Sequence, residues 1–421
     1  MPLGTDLPTS KIDGDTGHTA GHNATNTRAN EIATEINAQV AARRVVYLTA
    51  PPVGSGLSAI AANGSTNDRA AIQAALDYVD STWGAGTVIG PVGTTVKCNS
   101  GITIPTKVQL RDLTLDCTSM STGPAITVND TDSVPLYNVK VTGPGDGSSV
   151  DCLDVTGVGL RFERLEIREF RRNVDLANEN TYINTFIQCA IGEANVCVYQ
   201  DLSAVGATNS GEKTVFRDCT FFNSTQVLQV TNNQGGMFLD GCSLDYSALM
   251  GYVSSSHVFF DSCHVESNFV TTPNGYFFEP AFEARLSFNG CNFMMGSTGG
   301  EGLRFIIKPT TGPSVYTKGR VTYSGCMAYF VDTSSTGRQR FDDELQFIEQ
   351  TATTVVFETP FVSKWGPVSV NVAANDGDIY REVNVAPTID RDGSGYITGE
   401  ITVTASAAPG SGNYLPVRIK F

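Results

Sequence analysis

The chain has 421 residues, with 28 Lys and Arg against 43 Asp and Glu, a net charge of −15. That acidity excludes nucleic acid as a partner, because phosphate binding needs Lys/Arg clusters and only Arg43–Arg44 and Arg171–Arg172 adjoin. The apolar share of 41%, the charged share of 17% and the 42 Gly are the balance of a turn-rich all-β protein, and no apolar run is long enough for membrane insertion.

Residues 1–27 are rich in Gly, Thr, Asp and Asn and have no apolar periodicity, so they read as an extended arm. Met1–Ser10 holds no apolar stretch of the kind that makes a secretion signal, so release by a route such as lysis is expected. Within the arm, His18 and His22 have the spacing of a metal pair on a helix. Gly17 and Gly21 oppose a helix there and no third ligand is evident, so neither metal nor cofactor is expected. The phrase Asp15–Asn23 (DTGHTAGHN) resembles a segment near the start of tail and fibre proteins of phages infecting actinobacteria.

A helix is predicted from Asn26 to Arg44, with Ala29, Ile32, Ile36 and Val40 along one narrow stripe. Such a stripe suits pairing with copies of itself, and Ile at core positions favours trimers. Packing of the stripe on the chain's own β-domain is the other reading, and both stay open. After a Pro/Gly/Ser linker, Asn67 and Asp68 are expected to cap a second helix over Arg69–Ser81.

Asn63–Asp68 (NGSTND), Ala71–Asp77 (AIQAALD), Gly86–Val88 (GTV) and Pro91–Gly93 (PVG) resemble the entry to pectate-lyase-like β-helix proteins. In that superfamily a short helix closes the apolar end of the first coil. The chain departs from the pattern at Thr95–Val96, where an aromatic commonly follows. The resemblance covers residues 60–330 and specifies the fold rather than the reaction, since members include lyases, hydrolases and inert binding spikes.

From Leu110 to Ala328 one phrase repeats nine times: an apolar residue, two residues that are often polar, an apolar residue or Cys, any residue, and another apolar residue. Leu110/Leu113/Leu115 is the first instance, Phe216/Cys219/Phe221 the fifth and Tyr323/Cys326/Ala328 the last. Middle residues lie between 21 residues (Cys242 to Cys263) and 35 residues (Cys291 to Cys326) apart. Apolar–any–apolar is the period of a strand with one buried face. Turn formers such as Asp240–Gly241 and Asn289–Gly290 precede the middle position. The steps are too short for propeller blades and suit a right-handed parallel β-helix, a solenoid in which like residues form ladders.

One inward ladder is Phe216, Leu239, Phe260, Phe288 and Tyr323, and another is Cys189, Cys219, Cys242, Cys263, Cys291 and Cys326. These Cys read as buried, reduced thiols suited to assembly in a host cytoplasm. Replacing Cys263 by Ser is expected to cost about 1–3 kcal/mol if the buried hydroxyl finds no partner. From Thr353 to Phe421 short alternating strands predict an antiparallel β-sandwich. Inside it, Asp390–Thr398 matches the start of a calcium loop, but position twelve is Ile401, so a Gly-rich hairpin turn is the preferred reading. The domains are therefore an attachment arm and helix (1–50), a β-helix with its capping helix (51–340) and a sandwich (341–421).

No nucleophile elbow, P-loop, zinc-protease or dinucleotide motif is present, and His257 and His264 lack a signature Ser. What remains is glycan chemistry. Two outward ladders run beside the inward ones. The first is Thr220, Ser243, His264 and Asn292, and the second is Phe222, Asp245, Glu266, Met294 and Tyr329. Asp245 and Glu266 are the candidate catalytic pair, and Phe222, His264 and Tyr329 the candidate sugar contacts; an ordinary solvated face is the competing reading. Glu163, Glu166, Arg168 and Glu169 read as surface ion pairing. The whole points to a homotrimeric phage tail spike or fibre, joined to other virion tail or capsid proteins by its N-terminus and contacting a host surface polysaccharide. A β-helical polysaccharide depolymerase and a structural decoration fibre are the alternatives.

Overall fold

The computed structural model describes residues 43–203, 210–233, 235–268, 276–281 and 283–298, Arg28 and Glu31, and the backbone of strands between 301 and 420. Beyond residue 294 only the side chains of Ser324, Gly325 and Cys326 are described, and that of Asn268 is not. The N-terminal arm and nearly all of the Asn26–Arg44 helix candidate lie outside the described residues.

The repeated phrase folds as two short strands joined by a sharp bend. In all nine copies the residue before the middle position takes a left-handed conformation: Asp112, Asn138, Arg164, Gln188, Asp218, Gly241, Ser262, Gly290 and Gly325, with φ between 52° and 62°. One residue in this conformation turns the chain without breaking the inter-coil ladder, and Asn, Asp and Gly bear it most easily. Four places after the middle residue, Glu169, Glu193, Asn223 and Tyr246 repeat the conformation at the next corner. The chain then enters a second sheet. Each coil gives up to two strands to a 21-stranded sheet and one to a 9-stranded sheet, and equivalent strands of successive coils pair in parallel. The protein is a parallel β-solenoid.

Between the two sheets lies one continuous core. The first ladder runs in register from Leu110 through Leu136, Phe162, Phe186, Phe216, Leu239, Phe260 and Phe288 to Tyr323. Rings in this row stack on one another, with centroids 4.6 Å apart for Phe162–Phe186, 4.7 Å for Phe186–Phe216 and 4.8 Å for Phe260–Phe288. From the opposite sheet, Phe278 reaches across to Phe260 at 5.1 Å. All ten Cys are buried and free. At the bend each thiol faces main-chain carbonyls: Cys263 Sγ lies 3.4 Å from the oxygens of both Leu239 and Asp261. A Ser there inherits two acceptors, so the larger cost expected for an orphaned hydroxyl does not apply.

The helix Arg69–Trp83 closes the first coil, burying Ile72, Ala75, Leu76 and Val79. Its end is set by Gly84, in the left-handed conformation with φ 65°. The expected cap differs in detail. Asp68 makes no side-chain cap; its buried carboxylate instead accepts from the amides of Ala61 (2.9 Å) and Ala62 (3.0 Å), tying down the incoming loop. Asn67 Oδ1 accepts from Arg69 N at 3.3 Å. Gln73 covers the open sheet edge, donating to Thr103 O (3.0 Å) and accepting from Thr103 N (2.8 Å). An additional first rung, Val45–Tyr47, pairs in parallel with Gly86–Ile89.

At the far end Cys326–Val331 pairs antiparallel with Thr336–Phe341. Beyond it the backbone forms two three-stranded antiparallel sheets. Strands Val385–Arg391 and Ile397–Ala405 pair as a hairpin around residues 392–396. Those loop residues, and the side chains that would form a sandwich interior, lie outside the described residues.

Two measurements check this core. Phe186→Ala removes a ring held between two others and should destabilise the protein by about 3–5 kcal/mol in denaturant unfolding. Cys263→Ser should cost about 1 kcal/mol, while Cys263→Leu overpacks the ladder and should cost about 1–3 kcal/mol. A Ser variant as damaging as the Leu variant would show that the carbonyls do not accept from the new hydroxyl.

Candidate functional site

The outward ladders stand in register on the strands after the bend. Thr220 pairs with Ser243, Ser243 with His264, and His264 with Asn292. Phe222 pairs with Asp245, Asp245 with Glu266, and Glu266 with Met294. Tyr329 continues this row at the backbone level, opposite Met294, but its side chain lies outside the described residues. All eight described side chains from Thr220 to Met294 in the two rows are half-buried.

Structure brings Asp245, His264 and Glu266 together: one donor atom from each lies within 4.8 Å of the others. His264 Nε2 is 3.2 Å from Glu266 Oε2. Ser243 Oγ donates to Asp245 Oδ1 at 2.8 Å, and the Tyr246 hydroxyl donates to Glu266 Oε1. Tyr246 joins the cluster because its left-handed backbone, φ 49°, turns it at the corner, where it remains 40% exposed.

The two carboxyls are driven apart electrostatically. Burial raises the pKa of Asp245, Glu266 adds to the rise, and Ser243 and His264 oppose it. Glu266 moves the other way, lowered chiefly by the Tyr246 hydrogen bond and also by His264, against a smaller effect of burial. Two carboxyls side by side with pKa values shifted in opposite directions resemble the pair glycoside hydrolysis uses, and a separation within 4.8 Å is nearer the retaining spacing of about 5–5.5 Å than the inverting one.

Phe222 sits differently from an open sugar platform. Arg168 lies over its ring at 5.1 Å, and the ring covers Gly192, where any Cβ would come within 2.7 Å of it. The second acidic cluster is ion-paired: Glu163 with Arg161, and Glu166 with Lys140 (2.8 Å) and Arg168 (3.0 Å).

An aromatic feature absent from the sequence reading lies on the strands before the bend. Phe238 and Phe259 stack face to face on adjacent coils, 4.7 Å apart and 7° from parallel, each half-buried. His257 meets the edge of Phe259 at 6.4 Å. Its pKa is lowered by burial and by Arg285, which pairs with it in register. Alternation carried the signal, since each Phe stands one place before an inward residue, Leu239 or Phe260.

No protein-family model matches the chain, and no curated protein does. Among the solved structures that match it are phage tailspikes. The enzymatically active domain of tailspike protein 4 of bacteriophage CBA120 matches over 85% of this chain and 64% of that one, at 13% identity and a TM-score of 0.45. For the tailspike of Acinetobacter phage vb_AbaP_AS12 the values are 71%, 64%, 9% and 0.38. A mutant tailspike of E. coli bacteriophage HK620, solved with a hexasaccharide, gives 91%, 94%, 11% and 0.37. The chain spans less than two thirds of the first two proteins. Among the described residues no helix is long and apolar enough to cross a membrane.

Tyr246→Phe should return the Glu266 carboxyl towards its ordinary pKa, read by carbon-detected NMR titration. An unmoved Glu266 would show that the phenol is not the cause of its depression. The sign follows from linkage: stability contributed by a lowered Glu266 is present above its unfolded value and lost as pH falls through the folded one.

Proposed function

We propose that the chain is a phage tailspike that attaches the particle to a polysaccharide of the host surface. The observation that carries this reading is the outward cluster of Asp245, His264, Glu266 and Tyr246, with the stacked Phe238 and Phe259 on the strands before the bend of the same coils. The exposed part of the Phe238–Phe259 stack offers apolar contact to sugar rings, while Asp245, Glu266, His264 and Tyr246 suit their hydroxyls. Residues 1–44 would join the spike to other tail or capsid proteins, and the chain would assemble as a homotrimer in the host cytoplasm.

A second reading, a depolymerase, is favoured by one observation, the placement of Asp245 and Glu266 in register on neighbouring coils with donor atoms within 4.8 Å. One experiment separates the two. Purified host-surface polysaccharide is offered to the protein, and binding and release of reducing sugar are followed together. An adhesin binds without cleavage, and Phe238→Ala with Phe259→Ala should weaken binding by about tenfold or more. A depolymerase releases sugar, and Asp245→Asn or Glu266→Gln should abolish release while binding persists. Neither binding nor cleavage, across glycans from hosts the phage infects, would sink both readings. Light scattering should give about three times the 44.9 kDa chain mass; a clean monomer at micromolar concentration would remove the trimer.

A further inference from the structure

Outward carboxylates along the solenoid commonly have basic partners. Glu166 is held by Lys140 and Arg168, Asp151 by Arg171, Asp175 by Arg172 at 2.8 Å, and Asp240 by Arg217 at 3.0 Å. Asp245 and Glu266 are different. They face each other in register on neighbouring coils, both half-buried, and no Lys or Arg among the described residues pairs with either. Their shared neighbour is the imidazole of His264.

The geometry is that of a ligand set. Donor atoms of Asp245, His264 and Glu266 lie within 4.8 Å of one another, and the His264–Glu266 pair is already at 3.2 Å. Two ligands of one tetrahedral ion, each about 2.0–2.1 Å from the metal, lie about 3.3 Å apart. Ser243 and Tyr246 each hold one carboxylate oxygen, leaving the second oxygen of Asp245 without a hydrogen-bond partner among the described residues and that of Glu266 facing His264. Hydrogen bonds of this kind commonly orient metal-ligating carboxylates.

We propose that Asp245, His264 and Glu266 bind one first-row divalent cation of the zinc class. An imidazole among the ligands selects against calcium and magnesium, which prefer all-oxygen sets. Three protein ligands leave an open position, available to water or to a hydroxyl of a bound molecule. Binding of the cation requires no glycan, so it stands or falls separately from the adhesin reading.

The test uses the full chain, freed of metal with a chelator and held near neutral pH in a non-coordinating buffer. Zn2+ is titrated by calorimetry and Co2+ by visible absorption. One ion per chain should bind, with ligand-field bands for Co2+ and an affinity at least about tenfold above that for Ca2+. His264→Ala and Asp245→Asn should each weaken Zn2+ binding by at least about tenfold. His18→Ala with His22→Ala should leave it unchanged, which separates this site from the N-terminal pair. Circular dichroism confirms that each variant is folded, and His264→Gln replaces His264→Ala if the latter is not. No uptake of Zn2+ at millimolar concentration would overturn the proposal, as would undiminished uptake by a folded His264 variant.

Discussion

Backbone hydrogen bonds between coils fix the vertical repeat of a parallel solenoid at about 4.8 Å, and most of this molecule is a response to that spacing. Each side chain meets its own equivalent one coil away. Inside, equivalence is favourable: a Phe over a Phe at 4.6–4.8 Å fills the interior without polar atoms. At the bend the space is smaller and main-chain carbonyls point into it. Cys is small, apolar and a weak donor, so thiols fill this column from Cys189 onward, as Leu113, Val139 and Leu165 fill it in the first three coils. Outside, equivalence is a hazard, because like charges directly opposite repel. Lys140 beneath Glu166 and Asp240 beside Arg217 show the usual remedy, opposite charges on consecutive coils.

Asp245 and Glu266 lack that remedy, and their neighbours act in its place. Ser243 and Tyr246 supply hydrogen bonds, and His264 lies between the carboxyls. Two unit charges about 4 Å apart repel by about 1 kcal/mol in bulk water and more at a half-buried surface. A fold that keeps such a pair with no Lys or Arg beside either carboxyl carries a local cost. Sites where sequence and stability disagree in this way are where function is expected.

Much of the fold was legible because one phrase is repeated. Period-two apolar residues around a fixed bend identify inward and outward faces for every coil, and the register from Leu110 to Phe293 follows. The bend itself was visible where turn formers mark it, at Asp240–Gly241, Asp261–Ser262, Asn289–Gly290 and Ser324–Gly325. Arg164 and Gln188 adopt the same left-handed conformation with no local signal, since the neighbouring coils impose it. Asp68 looked like a helix cap because it precedes an apolar helix, but its role depends on a loop that returns to it from residues 61 and 62. The site was legible in part. Alternation assembled Asp245, His264 and Glu266 from residue number alone. It did not find Tyr246, whose contribution depends on a corner, nor that Arg168 occupies the face of Phe222.

The opposed shifts of the carboxyls also bear on why the cluster persists. Asp245, raised by burial, contributes stability only while protonated, and this is lost as pH rises through its folded value. Glu266, lowered by Tyr246, contributes stability while ionised, and this is lost as pH falls. Across the carboxylate range the two trends act in opposite directions. Above that range Glu266 has its full benefit and Asp245 its full penalty. A partner that brings positive charge or donors to Asp245 removes that penalty.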